Sequence, residues 1–283
     1  MTMTTPTRVP VDPRGRRPFW RSKPFAIAEG FFIPIILLVI WWLATRGGAV
    51  NPLFLPSPEQ IWTSLVGLAP RLPSAVFTTV SMTLTGFVLG TLGGILIGLL
   101  LAFSKHVRLL TGPIFDALRP VPVFALIPLF ILWFGLGRPP QIILVAFGTF
   151  VVLVVSTLEA IRNVSPTYVK AALNLGASRA FIYRTVIVPS ITPHLAGAVR
   201  VSAAASWGLG VAAEFIGAQD GLGYLMINRQ TYLDTAGILV IVILYSLIAF
   251  LFDLLIRFLQ RKLLRWTERD QLSTHIGSVL GVS

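Results

Sequence analysis

Apolar residues in this chain fall into six long runs separated by polar or basic stretches. They cover Phe25–Thr45, Phe77–Phe103, Leu118–Leu136, Gln141–Ile161, Ile191–Gly217 and Ala236–Leu259, with lengths of about 19 to 27 residues. A helix rises about 1.5 Å per residue, so about 20 residues cross the ~30 Å hydrocarbon layer of a bilayer. The pattern predicts an all-α, polytopic membrane protein. Its six transmembrane helices place both termini on one side.

The basic residues choose that side. Arg8, Arg14, Arg16, Arg17, Arg21 and Lys23 precede the first run, and Lys105, Arg108 and Arg119 follow the second. Arg162, Lys170, Arg179 and Arg184 follow the fourth, and Arg257, Arg261, Lys262, Arg265 and Arg269 close the chain. The opposite loops hold only Arg46, Arg71, Arg138 and Arg229, while Arg200 lies inside the fifth run. Cytoplasmic loops carry the Lys/Arg excess, which gives N-in, C-in. A cleaved signal peptide is disfavoured: the first run, with Trp41 and Trp42, is long for a signal sequence, and no small-x-small site follows.

Composition agrees with a membrane protein. The chain has 283 residues, of which 55% are hydrophobic and only 12% charged. Soluble domains carry roughly twice that charged share, and so apolar a chain is not disordered in bulk. The net charge of +12 reports topology, so nucleic acid is not an expected partner. With no cysteine, disulfides, thiolate metal sites and a cysteine nucleophile are excluded. There is no P-loop and no H-E-x-x-H, and His106, His194 and His275 are scattered, so no metal site is expected. Gly176-Ala177-Ser178 lacks the second glycine of a nucleophile elbow. No catalytic constellation remains. The expected organisation is a disordered basic N-tail (1–24), a first membrane helix with an extracytoplasmic loop (25–76), a transmembrane core (77–260) and a cytoplasmic tail (261–283).

The informative stretch lies between the fourth and fifth runs. Ser165 followed by Pro166 is a favoured helix start. Tyr168, Ala171, Ala172 and Leu175 then fall on one face of a two-turn helix. Gly176 ends it, Ser178 caps a second helix through Phe181, Ile182 and Val186, and Pro189 marks re-entry into the membrane. Two readings are open on physical grounds. The helix either lies on lipid headgroups or sits in a partner's groove, where the small pair Ala171–Ala172 permits close approach.

The spacing Lys170-Ala171-Ala172-x3-Gly176-x9-Val186-x-Val188-Pro189 resembles the E-A-A-x3-G-x9-I-x-L-P loop of ABC importer permeases. These are the membrane subunits of binding-protein-dependent transport systems. The likeness runs from about Thr78 to Trp266 and departs at Lys170, where the family usually has Glu. It implies a type I ABC importer permease architecture with a coupling loop at 162–189. The ATPase-coupling residues would be Tyr168, Lys170, Ala171, Ala172, Leu175, Gly176, Ala177, Ser178 and Pro189. Implied partners are a second permease copy in a homodimer, two cytoplasmic ATPase subunits that bind the ATP, and an extracytoplasmic solute-binding protein. The binding protein would meet loops near Asn51–Pro73 and Gln219–Asp234. The implied location is the bacterial inner membrane, the chain itself needing no cofactor and catalysing nothing. The stretches 118–137, 214–226 and 253–266 resemble the nitrate/sulfonate/taurine group, many of whose members handle small anions.

Two segments are candidates for a translocation path. Pro120, Pro122 and Pro128 break the third run, either beside the path or as a packing kink. In the fifth run Arg200, Trp207 and Glu214 recur every seven residues and share a helix face. Arg200 and Glu214 are about 21 Å apart along it and cannot pair on one straight helix. They either line a pore or are charges satisfied by neighbouring helices. Asp253 and Arg257 form an i, i+4 pair. An ATP-independent carrier or channel using Arg200 and Glu214 is the competing function.

Overall fold

The computed structural model describes residues 23–46 and 50–264, so most of the expected disordered N-tail (1–24) and of the expected cytoplasmic tail (261–283) lies outside the described residues. The chain divides into two compact units, residues 1–60 and 61–283.

The first unit holds helix α1, Lys23–Arg46. Nearly every side chain from Phe32 to Ile40 is exposed, as suits a helix meeting lipid on most sides. The chain then returns on α1: the Trp41 indole donates to the Pro56 carbonyl at 3.1 Å and the Trp42 indole to Glu59 at 3.3 Å. Ser57 and Gln60 exchange backbone-to-side-chain bonds of 2.9 and 3.3 Å. This reciprocal capping box starts helix α2, Pro58–Leu68.

The second unit is helical throughout its described residues. Its long helices are α3 (Leu72–Phe103), α6 (Arg138–Arg162), α9 (Val188–Gly217) and α11 (Thr235–Leu263). Four helices are long and apolar enough to cross a membrane: α3, α6, a continuous Arg179–Gly217 helix containing α9, and α11. A fifth is reached if the helix α4 (Lys105–Leu118) and the bent-back segment Val123–Phe134 count as one span.

Helices α3 and α6 pack through a glycine ridge. Gly86, Gly90, Gly94 and Gly98 repeat every four residues on α3. A Cβ at Gly94 would lie 2.8 Å from the Phe150 carbonyl oxygen, and one at Gly98 2.6 Å from Thr157 Cβ. Small residues at this spacing let helix backbones approach where the hydrophobic effect offers no pull. Helix α9 closes the core. Trp207 stands edge-on to Tyr245 and Phe252 of α11 at 5.8 and 5.6 Å, and Phe252 is edge-on to Phe87 of α3 at 5.5 Å. Such T-shaped pairs add about 0.5–1.5 kcal/mol beyond area burial.

The third apolar run is broken, as its prolines predict, and the break is a sharp corner. Leu118–Leu136 is not one helix. The polar stretch before it forms α4, started by the Ser104 hydroxyl accepting from Val107 N–H. The chain then turns by 87° and re-enters helix only at Val123–Leu126 and α5, Ile127–Phe134. Pro120 and Pro122 explain the corner. Neither can donate a helical hydrogen bond, and Pro122 itself is extended, at φ -70° and ψ 101°. Pro128 sits in the first turn of α5, where its missing N–H costs nothing.

Candidate functional site

The segment between α6 and α9 folds as its residues demand. Helix α7, Pro166–Asn174, begins where the Ser165 hydroxyl accepts from Thr167 N–H at 3.4 Å. It ends in a Schellman motif: Ala177 N–H reaches the Ala172 carbonyl at 3.1 Å and Gly176 N–H the Leu173 carbonyl at 2.9 Å. The motif requires a left-handed residue, and Gly176 has φ +80°. The Ser178 hydroxyl then accepts from Phe181 N–H at 3.3 Å and starts α8, Arg179–Ile182. A single π turn, Tyr183–Ile187, joins α8 to α9. Pro189, in the first turn of α9, cannot donate to residue 185 and crowds its carbonyl, a conflict that a π bulge absorbs. Here the structure sharpens the expected re-entry: Pro189 lies within a continuous helix.

Helix α7 has no buried residue. Leu175 is 88% exposed, Tyr168 62% and Phe181 57%. Helix α8, by contrast, is anchored. Ile182 is buried, and the Tyr183 hydroxyl donates to the Leu99 carbonyl at 2.5 Å while its ring stands edge-on to Phe103. A locally capped helix with no buried residue is thus attached to the base of a 39-residue membrane helix.

The three spaced residues of α9 meet three different environments. Arg200 is exposed and grips Asp253 of α11 through Nε at 2.7 Å and Nη2 at 3.3 Å. Asp253 also takes Arg257 at 2.5 Å, so the cluster carries two guanidiniums on one carboxylate. Trp207 is buried in the aromatic cluster. Glu214 is 1% exposed. It accepts from the Thr79 hydroxyl at 2.6 Å and from Gly223 N–H at 2.6 Å, and Thr79 in turn accepts from Leu222 N–H at 2.8 Å. Glu214 therefore caps α10, Leu222–Thr231, and joins it to α3. Gly221 and Gly223 make room for this: a Cβ at Gly221 would lie 2.6 Å from Glu214 Oε1. Nearby, Gly137 N–H donates to the Gly217 carbonyl at 3.0 Å, and Arg138 pairs with Asp220 and Thr78, each at 3.0 Å. Pro122 and Pro128 are exposed at the 87° corner. The structure thus gathers the α7–α8 residues into one element and leaves the path candidates dispersed.

Sequence reasoning passed over Thr79, Arg138 and Asp220. Thr79 carries no motif, and its partners stand 135 and 143 positions away. The four-residue glycine spacing on α3 was a readable sign of close packing.

An exposed, doubly capped helix is thus slung between two membrane-length helices. The chain belongs to the family described as "Binding-protein-dependent transport system inner membrane component", which matches residues 94–265. The taurine transport system permease protein TauC of Escherichia coli (strain K12) is 34% identical over 261 residues, 89% of this chain and 94% of that protein. The putative aliphatic sulfonates transport permease protein SsuC of Bacillus subtilis (strain 168) is 31% identical, over 87% and 91%. Among solved structures, an inward-facing MetNI methionine ABC transporter chain matches with TM-score 0.55 at 21% identity, over 68% of this chain and 97% of that one. A chain of a bacterial ABC transporter involved in alginate import matches with TM-score 0.58 at 15% identity, over 86% and 100%. These two likenesses concern the fold. The chain is therefore a multi-pass inner-membrane permease of the ABC type.

Proposed function

We propose that this chain is the membrane-spanning subunit of an ATP-driven importer for a small anion of the sulfonate or taurine kind. Six spans, N-in and C-in, come from the four long helices, α1, and the bent pair read as one span. Two copies form a homodimer around one path, and each presents residues 162–189 to one ATPase subunit. The chain itself hydrolyses nothing and needs no cofactor. A solute-binding protein delivers cargo to the outer loops near residues 51–73 and 219–234. The observation that carries the reading is α7: a capped helix with no buried residue, followed by a +80° glycine.

The mechanism follows from stiffness. ATPase closure moves α7, with the exposed Tyr168, Ala171 and Leu175 seated in the ATPase groove, the small Ala172 letting the helix lie close, and Gly176, Ala177 and Ser178 setting the angle. Tyr183 and the buried Ile182 bind α8 to the base of α3, so motion enters the long helix Arg179–Gly217 as one rod. Arg200 is the exposed guanidinium on that rod and the candidate for meeting an anion. Trp207 and Glu214, on the same helix face, hold the rod against α11 and α3, and Pro122 and Pro128 are the path candidates on the broken third run. The sulfonate assignment rests on the named relatives together with this exposed arginine.

Gly176→Trp or Ala172→Arg should uncouple ATP hydrolysis from uptake while the protein stays in the membrane. Unchanged coupled uptake in both variants would remove the docking assignment. Uptake by the purified chain without any ATPase would favour the ATP-independent carrier instead.

A further inference from the structure

Between Ala160 and Ala213 the chain has no Asp or Glu, yet it holds Arg162, Lys170, Arg179, Arg184 and Arg200. The other basic stretches assigned to the same side each contain an acid: Asp12, Asp116 and Glu268. The positive-inside bias accounts for surplus Lys and Arg, but acids weigh little in it, so it does not require their absence here. The carboxylate just outside the stretch, Glu159, is held by Arg119 at 2.9 Å. Among the described residues, no ion pair includes Lys170, Arg179 or Arg184.

The orientation of α7 says what these cations face. Val169 and Ala172, three apart, are its partly covered positions and turn toward this chain. The opposite stripe, Thr167, Lys170, Ala171 and Asn174, is exposed and carries polar side chains apart from the small Ala171. A helix lying on a bilayer sinks its apolar face into the acyl boundary. Here only Val169 and Ala172 are half-covered, and the stripe that carries Lys170 turns outward beside exposed Tyr168 and Leu173. Exposed Leu175 and Phe181 flank it, giving apolar anchors beside unpaired charge, the pattern of an interface core with a charged rim.

We propose that the groove receiving this loop is rimmed by carboxylates facing Lys170 and Arg179, so that this permease selects an ATPase with an acidic groove. The proposal rests on the docking reading above and adds the partner's charge to it. Complementary rim charge chiefly sets association rate and partner choice.

The test uses the whole complex, purified from membranes through a tag on the full-length chain. A carbodiimide joins an ammonium to a carboxylate with no spacer. It should link Lys170 to an Asp or Glu of the ATPase, mapped by mass spectrometry and lost in Lys170→Gln. The double variant Lys170→Glu/Arg179→Glu should retain about tenfold less ATPase, and raising NaCl from about 0.05 to 0.5 M should release the wild-type ATPase. If only a longer amine-to-amine linker reaches the ATPase from Lys170, and the double variant holds it normally, the acidic rim is wrong and docking stands. If neither reagent joins the loop to the ATPase while uptake stays ATP-dependent, docking falls as well. If the double variant's defect vanishes in nanodiscs of neutral phosphatidylcholine, the loop reads anionic lipid and the proposal is overturned.

Discussion

The two ends of the long helix Arg179–Gly217 are built on opposite plans. At the α7–α8 end the capping bonds are local: Ser165 to Thr167, Ser178 to Phe181, Ala177 to Ala172. At the Glu214 end they tie together residues up to 143 positions apart. The first plan makes a part that keeps its shape with no neighbour around it. The second makes a knot fixing the far end of the rod to α3 and α10. A lever needs both, a shaped handle and a fixed far end. The difference also predicts where damage appears: substitutions at the knot should cost folding, and substitutions at the handle should cost coupling.

The strongest break should come from Glu214→Ala. It strips the acceptor from the Thr79 hydroxyl and Gly223 N–H, both buried. Each orphaned donor costs about 1–3 kcal/mol, and a cavity adds to that. We expect a loss of about 3–5 kcal/mol, measured by denaturant unfolding in detergent. Glu214→Gln offers one oxygen to two donors and should lose about half as much. Equal stability of all three proteins would dissolve the knot.

Gly94→Val probes the same end of the comparison through packing. Its methyls would press on the Phe150 backbone and Leu153, costing about 1–3 kcal/mol by overpacking. Gly176→Val acts on the handle. A β-branched residue at φ +80° is strained by about 1–3 kcal/mol, but α7 buries nothing, so global unfolding should stay at wild-type values. Coupled uptake should fall in membranes that hold normal amounts of protein. A large stability loss from Gly176→Val would mean the handle is integral to the core.

The sequence made the handle legible and hid the knot, for a physical reason. Caps and Schellman glycines act within six residues, so Ser165, Gly176 and Ser178 announce their roles locally. Long apolar helices are similarly plain: five of the six runs match single helices within a few residues, four of them long and apolar enough to cross a membrane. In the third run the prolines announced a break but not its size, because hydropathy ignores backbone donors, and the chain turns by 87° inside an apolar stretch. Arg200, Trp207 and Glu214 share a helix face as their spacing requires, yet spacing cannot say what stands opposite. Asp253, an aromatic cluster and Thr79 lie there in turn, on other helices. The residue that joins Glu214 to α10, Thr79, is one threonine among many until the fold brings it there.

The smallest expected effect is the sharpest test of the handle's independence. Ser165→Ala removes one cap bond of 3.4 Å, worth about 1 kcal/mol or less in an exposed helix. Because α7 has no buried contacts, that loss cannot be shared with the core. It should appear as faster amide exchange confined to residues 166–174, with exchange in α3 and α6 unchanged. Pro166 still pre-sets the first turn, so the helix should fray at its start and survive beyond Ala171. Uptake should then fall less than in Gly176→Val, since the angle between α7 and α8 is intact. If exchange instead rises together in α7, α8 and the base of α3, the Tyr183 anchor and the cap belong to one cooperative unit, and the handle is not separable from the bundle.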